Sequence, residues 1–164
     1  MAKDYSFKEQ LDVGKVGEEA VRVYFQNMSN CITYTDLSDK PKYRDADIDF
    51  HAVVEKSSVW ESRFYEVKAD TRMAQTGNFF IEPEGWLKKT RAETILYLDT
   101  NRKLLYELNT HKLKQYVYNS SHNWESRIIS TSSFGGFTVT GWLVPYTGVI
   151  KMLSPEVIDF NSYM

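Results

Sequence analysis

The chain has 164 residues, 42% hydrophobic and 26% charged, which fits one globular domain and excludes a fibrous repeat or a largely disordered chain. Its formal net charge of -2 excludes binding to a polyanion through bulk positive charge, so any such contact must come from a local cluster. Cys31 is the only cysteine, which excludes an internal disulfide and a cysteine-rich zinc site and makes a reducing cytoplasm the expected compartment.

The opening residues MAKDYSFKEQ lack the apolar run of a secretory signal, and no segment approaches the roughly 20 apolar residues that span a bilayer. Neither secretion nor membrane insertion is expected. In GKVGEEAVRVYFQN, residues 14–27, Val16, Ala20, Val23 and Tyr24 recur at helical spacing, which predicts an amphipathic helix capped near Asp12. CITYTDL, residues 31–37, alternates as a strand, and SDKPKYRDA reads as a polar turn. The β-rich runs DIDFHAVVEK and SVWESRFYEVKAD flank Lys56-Ser57-Ser58 and predict an antiparallel hairpin.

TRMAQTG, residues 71–77, reads as a loop and NFFIE as a short strand. PEGWLKKTRA, punctuated by Pro83 and Gly85, predicts a short basic helical turn from Trp86 to Thr90. ETILYLD and KLLYELN read as strands and THKLKQYVYNS as a helix. STSSFGGFT, residues 130–138, reads as a loop, and GWLVPYTGVI as a late strand. The expected fold class is mixed α/β.

The unusual feature is charge placed in strands. Side chains two apart on a strand share a face, so Asp47 with Asp49, and Glu66 with Lys68, are expected to project together. If the two strands pair, an aspartate from one and a glutamate from the next converge. Carboxylates at one point repel unless a cation lies between them, and hard oxygen donors suit Mg²⁺ or Mn²⁺. Lys68 beside such a site could stabilise charge developing on a phosphate. By itself a Glu-x-Lys pair also fits an ordinary solvent-facing ion pair.

Taken in order, GKVGEE, DADID and EVK resemble the PD-(D/E)XK nuclease superfamily, with its resolvase-like and restriction-endonuclease-like members, over residues 14 to about 99. The resemblance implies an αβββαβ core within a mixed central sheet, here with extra C-terminal strands. It also implies a Mg²⁺-dependent or Mn²⁺-dependent endonuclease that hydrolyses DNA phosphodiesters. The family's aspartate maps to Asp49 or to Asp47, with Asp49 preferred; its second carboxylate maps to Glu66 and its lysine to Lys68. Glu18, after the second glycine, maps to the glutamate that the family's helix often adds, with Glu19 the less favoured alternative. DTRMAQTGNFFIE and GWLKKT resemble phage and mobile-element members, which implies host-cell cytoplasm as the location and places Asn78, Glu82 and Trp86 along the substrate cleft.

DNA would then be held by basic residues, Lys42, Arg44, Arg72, Lys88 and Lys89 among them, with Lys40 and Arg91 nearby and Asn78 at the cleft. Family members commonly form homodimers to cut two strands, so a second copy is an expected partner. A different class of function, a nuclease-fold module that binds nucleic acid or inhibits a protein without cutting, is the alternative. A phosphate-loop spacing and a G-x-S-x-G elbow are both absent, and the three histidines show no metal-ligand spacing.

Overall fold

The computed structural model of the chain describes residues 7–131 and 137–162. Helix α1 (Phe7–Asn27) comes first, then β1 (Cys31–Asp36), a one-turn helix α2 (Pro41–Arg44), β2 (Phe50–Lys56) and β3 (Val59–Asp70). Next follow α3 (Met73–Thr76), β4 (Asn78–Ile81), α4 (Trp86–Lys89), β5 (Thr94–Asp99), β6 (Leu104–Asn109) and α5 (Thr110–Asn119). The chain closes with β7 (Glu125–Thr131), β8 (Phe137–Pro145), α6 (Tyr146–Leu153) and β9 (Glu156–Asp159).

Six strands form one open, mixed sheet in the order β1-β2-β3-β5-β6-β9, and a second sheet runs β4-β8-β7. Only β3 and β5 pair in parallel; every other neighbour is antiparallel. That parallel step needs a crossover, and its residues supply α3, β4 and α4.

Helix α1 covers one face of the large sheet. Val21, Tyr24 and Phe25 are buried with Phe50, Tyr65, Leu96 and Leu98, as expected of apolar residues spaced three to four apart along a helix. The opposite face packs on β4, α4, α5 and α6 through Phe79, Trp86, Ile95, Tyr97, Leu113 and Val149. All six residues of β5 are buried, because this central strand is covered on both sides.

Local chemistry sets several boundaries. Ser57 and Ser58 take φ of 53° and 63°, the paired left-handed conformation of a two-residue hairpin turn, and β2 and β3 pair from Lys56↔Val59 to Phe50↔Tyr65. Gly77, at φ 68°, ends α3 and donates its N–H to Met73 O at 2.8 Å. Asn109 caps α5 by accepting from Lys112 N at 2.9 Å.

Four sequence expectations are corrected. Helix α1 starts at Phe7, so Asp12 lies inside it and does not cap it. Residues 41–44 of the expected polar turn close one helical turn, with Pro41 at its start. TRMAQTG carries the four-residue α3. GWLVPYTGVI is strand only to Pro145, after which Tyr146–Leu153 is helical, burying Val149 and Leu153. Strands β7 and β9 were not read from sequence; of the expected loop at 130–138, residues 132–136 lie outside the described residues. Among the described residues, no helix is long and apolar enough to cross a membrane.

Candidate active site

The site forms where the β2–β3 hairpin reaches the end of β2. Phe50 pairs with Tyr65, and the ladder runs one residue further: Asp49 N donates to Tyr65 O at 2.9 Å while Leu37 N donates to Asp49 O at 2.7 Å. Asp49 is thereby set beside Glu66, and its Oδ2 accepts from Val67 N at 2.8 Å. Asp47 does not share a strand face with Asp49, because it lies in the turn before β2 at φ 45°. Its carboxylate faces Lys89 at 3.5 Å, and its carbonyl accepts from Thr90 Oγ1 at 2.8 Å.

On β3 the alternation holds. Tyr65, Val67 and Ala69 meet α1, while Glu66 and Lys68 project to the other face. Glu66 is only 2% exposed. Its Oε1 is ion-paired with Lys68 Nζ, and its Oε2 is buried with no hydrogen-bond partner. Burial pushes the Glu66 carboxyl up to about 8, with the neighbouring Asp49 charge adding to the rise and Lys68 opposing it. Asp49 is raised as well, chiefly by burial, while the Val67 N–H works the other way. Two carboxyl groups buried side by side call for a proton or a cation between them.

Lys68 Nζ lies 5.5 Å from the centre of the Trp86 ring. Burial disfavours its charge, yet Glu66, Asp49 and Asp47 together raise its pKa, so it stays an ammonium. Glu18 stands at the margin, 3.8 Å from Arg22, which in turn binds Asp36 through Nε at 3.0 Å. Its carboxyl is raised by burial first and by Asp49 second, which puts it within electrostatic reach of the pair. Glu19, the alternative, is exposed and bound to Arg22 at 2.7 Å.

The donor set fits a hard divalent ion in its sparse form. Among the described residues no three His, Cys, Asp or Glu side chains group closely enough to hold a metal by themselves. Mg²⁺ asks for less, commonly one or two protein carboxylates with several waters retained. The chain matches no family model, no curated protein and no solved structure.

Beside the carboxylate pair, a cavity of about 300 Å³ opens past Lys68, walled by Asn78, Phe80, Glu82, Trp86 and Tyr97. Asn78, Glu82 and Trp86 thus do share a cleft, although Trp86 is also a core residue at 6% exposure. Arg72 lies on the same wall. The remaining basic residues are spread out. Lys42 and Arg44 are exposed on α2, with Lys42 Nζ 5.6 Å from the Tyr43 ring. Lys88 is paired with Glu84 at 2.7 Å, and Lys89 with Asp47.

Two site neighbours escaped the sequence reading. Asp70 continues the Glu66, Lys68 face; its Oδ1 accepts from Arg72 N at 2.6 Å and Met73 N at 3.0 Å, and its Oδ2 accepts from Tyr97 OH at 2.6 Å. The two-residue alternation on β3 could have found Asp70. Tyr97 OH also accepts from Phe80 N at 3.1 Å, tying β5 to β4. Nothing local marks Tyr97, since a buried strand tyrosine looks like core.

Proposed function

We propose that the chain is a metal-dependent endonuclease that hydrolyses DNA phosphodiester bonds, resembling the PD-(D/E)XK superfamily. The observation that carries this reading is the buried, unpartnered Oε2 of Glu66 beside Asp49, with Lys68 fixed on the same rim. A solvent-facing ion pair would need none of that burial, and an unpaired polar atom there has a cost. In this reading α1, β1, β2, β3 and β5 correspond to the αβββαβ core. The crossover helix of that core is replaced by α3, β4 and α4.

Asp49 and Glu66 hold Mg²⁺ or Mn²⁺, and when bound the ion supplies positive charge against the phosphate and lowers the cost of ionising a water. Lys68, half-buried and oriented by Glu66 and Trp86, presents its ammonium to the charge that develops on the phosphate. Glu18 adds negative potential at the margin. Asp47, paired with Lys89, is the lesser candidate for metal contact. Lys42, Arg44, Arg72, Lys88 and Lys89 meet phosphates, which makes binding salt-sensitive. Cleaving both strands of a duplex calls for two such sites, which a homodimer would supply.

The test is cleavage of linear, branched and single-stranded DNA by the purified protein with Mg²⁺, Mn²⁺ or EDTA. Lys68→Ala is expected to slow cutting by about 10² to 10³, the usual cost of losing one electrostatic donor, and Glu66→Ala to remove the metal-dependent activity. Binding without cutting under either metal would replace this reading with a non-catalytic, DNA-binding one.

A further inference from the structure

We infer that the cavity beside Lys68 receives one unpaired nucleotide of a DNA strand, adjacent to the phosphate that is cut; this inference rests on the nuclease reading. A volume of about 300 Å³ stands at the small end of ligand pockets. That is room on the scale of one nucleotide.

The walls suit a base. Phe80 offers aromatic surface, and it reaches its position because Gly141 has no side chain: a Cβ there would sit 2.2 Å from the Phe80 ring. Asn78 Nδ2 is bound to Thr76 O at 2.9 Å, which leaves Oδ1 as an acceptor for a base edge, and Glu82 adds a carboxylate on the same lining. Arg72 and Arg127 bring positive charge from β3's exit and from the small sheet. Lys68 belongs to this lining and also to the carboxylate pair, so a nucleotide seated here has its phosphate beside the proposed chemistry.

A base paired in a duplex has its hydrogen-bonding edge occupied and is stacked on both sides. Entry would require flipping it out at a cost of a few kcal/mol, which a single-stranded or unpaired nucleotide does not incur. The preferred substrate is therefore a strand with an unpaired nucleotide: a single strand, a bulge or a branch point.

Gly14 provides a test that spares the core. It lines the cavity from α1, and a Cβ placed there meets nothing within 4 Å. Gly14→Phe puts a ring at the mouth while replacing a helical glycine, so its Tm should match or exceed that of wild type. Binding is measured by fluorescence anisotropy in EDTA, so that no cutting is required, with a labelled single strand, the matched duplex, and a duplex carrying one unpaired 2-aminopurine. Wild type should bind the single strand and the bulged duplex about tenfold more tightly than the matched duplex. Gly14→Phe and Phe80→Ala should erase that preference and leave duplex binding unchanged, since one base–aromatic stack is worth about tenfold or more. Equal binding of all three probes, no binding of any, or an unchanged preference in Gly14→Phe would each overturn the inference. Preferential binding without metal-dependent cutting would leave the pocket standing and remove the nuclease reading, so the two failures are distinguishable.

Discussion

The two faces of β3 are the same length of chain at similar depth, and they solve burial differently. On one face Tyr65, Val67 and Ala69 meet α1; the Phe25 ring sits 5.1 Å from Tyr65 at a steep angle, and Gly17 fits against Ala69. Apolar packing is non-directional, so this face is complete once the space is filled. On the other face Glu66, Lys68 and Asp70 need a partner for each polar atom. Asp70 has three and Lys68 has one, but Glu66 Oε2 has none. The two faces differ in completeness: the apolar one is filled, while the polar one leaves a buried carboxylate oxygen without a hydrogen bond.

The sharpest way to probe that face is Glu66→Gln, which keeps the shape and removes the charge. In the folded, metal-free protein the Glu66 carboxyl titrates at about 8 against an ordinary 4.5, so the fold holds a proton that the unfolded chain gives up. A raised carboxyl contributes stability fully below about 4.5, and that contribution is lost as pH rises through about 8. In EDTA the wild-type Tm should therefore fall between these limits, with Asp49 contributing in the same direction. Glu66→Gln should show a shallower fall and a Tm at pH 8 at or above wild type, together with loss of cleavage. Parallel Tm profiles for the two proteins would show that Glu66 is not strained in the fold.

How much of this was legible in the sequence follows from the same contrast. Period-two alternation placed Glu66 and Lys68 on one face, and the two serines placed the hairpin that sets Asp49 beside them. Alternation failed at Asp47, because Pro41 starts a helical turn and the chain leaves it through a left-handed residue before entering β2. The second sheet was the larger omission. Strand β4 pairs with β8, which follows it only after three further strands and two helices, and that register depends on packing that no local pattern encodes. Arg127, on β7, reaches the cavity only through that sheet. The start of the helix after Pro145 reads as strand because Val149 and Ile150 are apolar in either conformation.

Tyr97→Phe attacks the support of the polar face. The hydroxyl accepts from Phe80 N and donates to Asp70 Oδ2, in a site where burial, then Asp70, pushes its pKa well above the usual value. Removing it strands a buried N–H and one oxygen of Asp70, at a cost of about 1.5–3 kcal/mol for a hydrogen bond to a charged group. Urea denaturation should show that loss with an unchanged slope. A cost near zero would mean that water replaces the hydroxyl and that β4 does not depend on it.

The apolar face is tested by two glycines one helical turn apart on α1. At Gly17 a Cβ would lie 2.9 Å from the Ala69 Cβ and 3.3 Å from a Val67 methyl, a clash against short side chains that cannot swing away. At Gly14 the same atom meets nothing within 4 Å. Both replacements by alanine gain helix propensity, up to about 1 kcal/mol, so the difference between them isolates the contact. Gly14→Ala should raise stability by up to that amount, and Gly17→Ala should lower it by about 1 kcal/mol net, since overpacking costs about 1–3 kcal/mol and propensity returns part of it. If the two variants shift the urea midpoint equally, α1 can ride outward from β3 without loss, and the fit of Gly17 on Ala69 does not hold this face shut. If they split in sign, the apolar face is rigid enough to fix β3 in place, and with it the positions of Glu66 and Lys68 on the other side of the same strand.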